Sequence, residues 1–232
     1  VGVGGMYVWL SQGLSSLARM GGQVNMAHSL GRGDQKAAAG FAQAALQLTI
    51  LFSLFVTLIS MLFTNPLLQF FALNDAATYN SARIYMRITC GLILFSFLSQ
   101  VLTGLFTAQG DSKTPLKANF FGLILNMILD PLLVLGVGPF PRLEVVGAAV
   151  ATVTAQIVVL LILVAEILRD HGEANVLHKI LLLSSPDIAC VKGVFRIGIP
   201  TALQGSLYCI ISMILTRMVS GFGDGAIAVQ RV

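Results

Sequence analysis

Residues 120–137 read FFGLILNMILDPLLVLGV, a stretch in which Asp130 is the only charged residue. A helix of about 20 apolar residues crosses the ~30 Å hydrocarbon core of a bilayer, so this stretch predicts a membrane span. A carboxylate at the centre of a span costs roughly 2.5–3.5 kcal/mol on insertion scales and marks a functional candidate. The alternative interpretation of Asp130 is a neutral buried acid that supports a proline kink.

The residues around Asp130 favour a cation or proton site. Asn126 precedes it by four positions, so the two side chains share one helix face. Pro131 has no N–H and leaves the carbonyl of Met127 without its helical partner. A carboxylate, an amide oxygen and a free carbonyl are hard oxygen ligands, suited to Na⁺ or to a proton held on Asp130.

Five other long stretches are apolar enough, or nearly so, to span a membrane: residues 3–27, 46–63, 88–106, 145–167 and 197–218. Hydrophobic residues make up 56% of the chain and charged residues 10%, whereas soluble domains carry roughly 25% charged residues. The surface must therefore be largely lipid-facing, and we predict an all-α polytopic membrane protein. The net charge of +4 lies in loops, so a nucleic acid partner is not expected.

The basic residues indicate the topology. Lysines are confined to residues 28–45, 109–118 and 169–196, and the positive-inside rule makes these loops cytoplasmic in a multi-pass protein of the inner (cytoplasmic) cell membrane. On this topology we expect one further helix before Val1. Residues 169–196 contain only a short apolar patch, which predicts an amphipathic linker at the membrane interface.

Four polar residues form a stripe on the first predicted helix. Gln12, Ser16, Arg19 and Gln23 recur at spacings of 4, 3 and 4, which places them on one helix face. Such a stripe must face the bundle interior or a watery cavity. We therefore expect these residues to line a substrate cavity, and the last apolar stretch adds two further candidates, Gln204 and Tyr208.

No enzyme signature of the HExxH, GxSxG or Walker A type occurs in the sequence. The three cysteines are far apart and form no metal motif. We expect no enzymatic activity, no cofactor, and no metal beyond Na⁺ at Asp130.

Several strings, in order along the chain, resemble the multidrug and toxic compound extrusion (MATE) family. They are GGQ at 21–23 with HSLGRGD at 28–34, AQGDSKTP at 108–115, NMILDPL at 126–132 with VGAAVAT at 146–152, and IGIPTALQ at 197–204. The resemblance implies a twelve-helix exporter of two six-helix lobes. It implies that residues 1–168 hold helices two to six of the N-terminal lobe, with helix one absent. Residues 169–196 would join the lobes, and residues 197–232 would hold helix seven and the start of helix eight.

The resemblance also implies a site. In the family's N-terminal lobe an Asn and an Asp on helix five meet an Ala carbonyl and a Thr on helix six, which map onto Asn126, Asp130, Ala148 and Thr152. A further family acid on helix one lies outside this chain. Tyr208 stands where some members carry an acid, which favours the DinF-like over the NorM-like branch.

The function so implied is secondary active antiport. The full-length protein, expected to be a monomer, would export amphipathic organic cations in exchange for H⁺ or Na⁺. The alternatives are a flippase for lipid-linked oligosaccharides within the same superfamily and, from another class, a membrane-embedded enzyme. The flippase alternative would favour a strongly cationic cavity, and Arg19 is the one candidate cavity cation in the sequence.

Overall fold

A computed structural model describes residues 2–62, 64, 76–136, 143–169, 176–179 and 187–220. Within this part of the chain the regular structure is helical, without strands, and consists of seven α-helices and one short 3₁₀ turn. They are α1 (Gly2–Gly31), α2 (Gln35–Leu62), α3 (Ala76–Gly91), α4 (Ile93–Ala108), α5 (Lys113–Leu135), α6 (Glu144–Arg169), the 3₁₀ turn (Val176–Lys179) and α7 (Ile188–Ser220). The predicted all-α class is confirmed.

Aspartates start three of these helices. The Oδ1 atom of Asp34 accepts from the backbone N–H of Ala37 at 3.0 Å, and Asp187 accepts from Ala189 at 2.9 Å. Asp111 accepts from the N–H groups of Lys113 and Thr114 at 3.0 and 3.1 Å. Side-chain oxygens at these positions satisfy N–H groups that have no partner inside the helix. A hydrogen bond from the Thr114 hydroxyl contributes most to holding the pKa of Asp111 below its ordinary value.

Asp34 and Asp111 lie close to the ends of the preceding helices, so these two connections are shorter than predicted. Of the predicted loop at 28–45, only residues 32–34 separate α1 from α2, and α5 already begins within the predicted loop at 109–118. The apolar pattern predicts only the apolar part of each helix. The polar residues at the helix ends are also helical, so the helices are longer than the apolar segments.

The stretch predicted as one span at 88–106 is not a single straight helix. The segments 83–91 and 93–108 meet at an angle of 46° around Leu92. Gly91 is a poor helix former, and the Thr57 hydroxyl of α2 donates to the Cys90 carbonyl at 2.9 Å, next to the break. A hydrogen bond from the neighbouring helix α2 thus stabilises the bend. The pattern of apolar residues along one segment cannot predict such a contact.

The last helix begins upstream of the predicted segment at 197–218, since α7 starts at Ile188, inside the predicted linker. Residues 170–175, 180–186 and 221–232, which include much of that linker and the predicted start of the next helix, lie outside the described residues.

Three of the described helices, α2, α5 and α6, are long and apolar enough to cross a membrane. The bent pair α3 and α4 counts as a fourth crossing if it is taken as one span. The two other predicted spans, α1 and α7, do not meet this measure in the described residues. In α1 the polar stripe lowers the hydropathy.

Glycines bring α1 and α7 into backbone contact. A Cβ atom at Gly21 would meet the Val194 carbonyl oxygen, and one at Gly198 would meet the carbonyl oxygen of Leu17. The Asn25 amide donates to the carbonyls of Gly21 in α1, at 2.7 Å, and Gly193 in α7, at 3.0 Å. Small residues allow such close helix approach in membranes, so the first half of α7 is fixed to α1.

This packing predicts opposite effects for two glycines of α7. Gly198→Ala places a methyl group against the α1 backbone, and overpacking of this kind costs roughly 1–3 kcal/mol. At Gly205 nothing lies within 4 Å of an added Cβ, and alanine there improves helix propensity by up to about 1 kcal/mol. Thermal unfolding of the full-length protein in detergent should therefore show a lower midpoint for Gly198→Ala and an unchanged or higher one for Gly205→Ala. Equal midpoints in the two variants would contradict the contact.

Candidate functional site

The antiparallel helices α5 and α6 pack closely at two glycines. A Cβ atom at Gly147 would lie 2.5 Å from the carbonyl oxygen of Leu133, and one at Gly122 would meet the Val159 side chain and lie 3.5 Å from the Ala155 carbonyl oxygen. The Leu143 N–H also donates to the Leu133 carbonyl at 3.0 Å. These contacts set the register of the two helices at both ends of the intervening segment.

The predicted ion-site residues lie between these two contacts. On α5, Asn126 and Asp130 fall between Gly122 and Leu133. The register places Asp130 at the level of the α6 turn from Ala148 to Thr152. The Thr152 hydroxyl donates to the Ala148 carbonyl at 2.9 Å, so these two residues form one oxygen-bearing turn.

Two polar atoms of this region are buried without a partner. The Oδ1 atom of Asp130 and the Nδ2 atom of Asn126 are inaccessible to solvent, and neither has a hydrogen-bond partner among the described residues. An unsatisfied buried polar group costs roughly 1–3 kcal/mol, and more when it is charged. A proton or a small cation on the carboxylate would remove this cost. The donor set is therefore chemically suited to H⁺ or to Na⁺, through the Asp130 carboxylate and the amide oxygen of Asn126.

Tyr85 belongs to the same neighbourhood and was not predicted from the sequence. Its phenol, on α3, lies within electrostatic reach of the Asp130 carboxylate and of the Cys90 thiol. Because of the bend at Leu92, α3 points in a different direction from α4. The approach of Tyr85 to Asp130 therefore depends on tertiary structure. The sequence offered no signal for this approach, because Tyr85 lies between Arg83 and Arg87 and outside the predicted span at 88–106.

The polar stripe of α1 packs partly against α4. Gln12 accepts through Oε1 from the Nε2 atom of Gln100 at 2.6 Å. A Cβ atom at Gly104 would lie 2.8 Å from Cγ of Arg19 and 3.1 Å from Oε1 of Gln23. Three of the four stripe residues therefore lie together along one α1–α4 seam, and their side chains are half-buried.

The other predicted cavity residues are placed differently. Ser16 is half-buried and its hydroxyl donates to the Gly13 carbonyl of its own helix at 2.8 Å. Gln204 and Tyr208 lie in the second half of α7, where both are exposed, Tyr208 by 71%. Within the described residues no hydrogen bond joins them to the α1 stripe, so the structure does not bring all six residues into one group.

Comparison with known proteins assigns the family. The sequence profile of the family described as MatE matches residues 1–132. A probable multidrug resistance protein NorM of Thermotoga maritima is 28% identical over the whole chain, which covers 49% of that protein. An FAD transporter of Shewanella oneidensis is 33% identical over 60% of the chain and 31% of its own length.

The fold has a counterpart in a solved structure. An inward-facing multidrug resistance MATE family transporter of the MOP superfamily superposes with a TM-score of 0.84 at 22% identity. That match covers 98% of this chain and 50% of the solved structure. The chain likewise spans about half the length of the Thermotoga maritima NorM protein. The predicted DinF-like branch stays a prediction. The chain belongs to the MatE family, whose members are multi-pass membrane transporters and not enzymes.

Proposed function

We propose that this chain forms most of the N-terminal lobe, and the first helix of the C-terminal lobe, of a multidrug exporter that exchanges amphipathic drugs for H⁺ or Na⁺. The observation that carries the proposal is the buried and unpartnered carboxylate oxygen of Asp130. It lies in a helix apolar and long enough to cross a membrane. Intramembrane carboxylates of this kind are typical of proton and ion pathways.

The proposed coupling depends on the charge state of Asp130. With no ion bound, the carboxylate is charged while its Oδ1 atom is buried without a partner among the described residues, which is costly. Binding of H⁺ or Na⁺ neutralises it and stabilises the close packing of α5 and α6. Pro131 follows directly and removes one helical hydrogen bond, so α5 can bend at this point when the ion binds. That bend would change the cavity and release the substrate.

The supporting residues have separate roles in this proposal. Asn126 offers its amide oxygen to Na⁺, or its unpaired amide nitrogen to a charged Asp130 when no ion is bound. Thr152 and the Ala148 carbonyl would supply oxygens from α6, where the exposed Thr152 hydroxyl donates to that carbonyl. Tyr85 contributes a phenol from α3, within electrostatic reach of Asp130.

A second candidate is the export of an anionic nucleotide cofactor of the FAD type. The similarity to the Shewanella oneidensis FAD transporter favours it, as does the intramembrane cation Arg19. A flippase for lipid-linked oligosaccharides remains the third candidate. It is less favoured, because a flippase would favour several cavity cations and Arg19 is the only Lys or Arg within the described bounds of α1 and α4.

The first prediction concerns coupled transport. Asp130→Asn removes the titratable oxygen but keeps the size of the side chain, so we expect gradient-driven efflux to fall to the level of protein-free liposomes. The measurement is dye efflux from proteoliposomes that contain the full-length protein, under an imposed proton gradient and then a sodium gradient. Glu166→Gln is the matched control, since this carboxylate on α6 is 41% exposed and paired only loosely with Arg169 at 3.8 Å. Wild-type efflux in Asp130→Asn would refute the coupling role.

The second prediction concerns ion binding itself. A ligand that binds only the folded state raises the thermal midpoint as its concentration exceeds the dissociation constant. We expect the wild-type midpoint to rise with Na⁺ concentration, or with falling pH if the ion is H⁺. Gly147→Ala forces α6 away from the Leu133 carbonyl and should weaken this response. Gly31→Ala, where nothing lies within 4 Å of an added Cβ, should keep it. A full response in Gly147→Ala would show that the close α5–α6 contact is not needed.

A further inference from the structure

Arg19 is a half-buried cation far from either end of its helix. It lies in α1, which ends at Gly31, and at 1.5 Å per residue it is about 18 Å along the helix from that end. A guanidinium at such a depth is costly unless it meets a counter-charge or a watery cavity. The first question is therefore which anion this arginine meets.

The helices packed on α1 supply no carboxylate. They are α2, α3, α4 and α7, and none of them contains an Asp or a Glu within its described bounds, nor does α1 itself. Asp130 belongs to α5, which is not among the helices that pack extensively on α1. Within the described helices Arg19 therefore has no adjacent carboxylate on its own helix or on its main neighbours.

The α4 backbone is shaped to hold the Arg19 side chain. Gly104 leaves the space that the Arg19 stem occupies, since an added Cβ would lie 2.8 Å from Cγ and 3.6 Å from Cδ. The Gln23 side chain lies against the same glycine. Long charged side chains extend their stems along apolar surface and direct the charged group toward polar surroundings. The Arg19 stem is thus held on α4 and is not left free.

The neighbouring amide adds hydrogen-bond donors to this seam. The Gln12 oxygen is used by Gln100, whose Nε2 atom also donates to the Ser96 hydroxyl at 3.3 Å. Among the described residues, the two N–H donors of Gln12 have no hydrogen-bond partner. Gln12 is seven residues from Arg19 on the same helix face, or about 10 Å along the axis. The Arg19 guanidinium and the Gln12 amide thus form a row of hydrogen-bond donors along α1. The described helices that pack on this row contain no carboxylate.

We propose that Arg19 binds an anionic group of the transported substrate, a carboxylate in the simplest case, while Gln12 binds a neutral acceptor of the same molecule about 10 Å away. This inference rests on the proposed export function and refines its substrate class. The preferred substrates are amphipathic molecules that carry a carboxylate, in place of the simple organic cations that the family resemblance implies.

The test is binding of two matched dyes to the full-length protein in detergent, followed by fluorescence polarisation. One is a rhodamine with a free carboxylate, and the other is its methyl ester. The wild type should bind the free acid more tightly than the ester. Arg19→Gln should weaken binding of the acid by about 10- to 100-fold, the range expected for a charge-assisted hydrogen bond. It should leave binding of the ester within about twofold.

Two further variants separate recognition from folding. Arg19→Lys keeps the charge and should retain part of the preference for the acid. Gly104→Ala displaces the Arg19 stem and should reduce the same preference without removing the charge. The inference is overturned if the wild type binds neither dye, if it binds both equally, or if Arg19→Gln weakens both dyes to the same extent.

Binding in detergent needs no ion gradient, so this result is independent of coupling. Efflux of both dyes from proteoliposomes with and without a gradient then tests the export function separately. Acid-selective binding without gradient-driven efflux would uphold the Arg19 site and contradict the antiporter proposal.

Discussion

The close contact between α5 and α6 is the constraint on which the candidate site depends. Gly147 admits the Leu133 backbone and Gly122 admits the Val159 side chain, so the two helices keep one register over the intervening three turns. Asp130 lies within those turns, and one of its oxygens is buried without a partner. A side chain larger than hydrogen at either glycine would separate the helices and expose this oxygen. The packing therefore creates the electrostatic cost that an ion or a proton can remove.

The contact between α1 and α7 is similar in kind but differs in its consequence. Gly21 and Gly198 allow backbone approach there, and Asn25 bridges the two helices by hydrogen bonds to Gly21 and Gly193. The second half of α7 has exposed apolar residues, including Leu203 at 57% and Ile211 at 55%. One end of α7 is therefore fixed to the bundle, while the other presents surface to lipid or to further helices.

Much of this architecture follows from the sequence. The apolar stretches predicted the helices α2, α5 and α6, and the spacing of Gln12, Arg19 and Gln23 predicted a polar face that the structure places along α4. Asn126 and Asp130 were recognisable because a carboxylate in an apolar helix is costly. The bend at Leu92, the start of α7 at Ile188 and the approach of Tyr85 to Asp130 were not predicted. Each of these depends on contacts between residues distant in sequence or on polar helix ends, and hydropathy patterns report neither.

The central claim is that Asp130 holds the coupling ion and that ion and substrate influence one another's binding. Thermodynamic linkage requires the influence to be reciprocal. The most direct measurement is the proton release or uptake, and the change in Na⁺ affinity, on addition of a transported dye to the full-length protein in weakly buffered detergent solution. The account predicts ion release on dye binding in the wild type and none in Asp130→Asn. Equal ion release in the two proteins, or dye affinity that is independent of both pH and Na⁺ in the wild type, would contradict it.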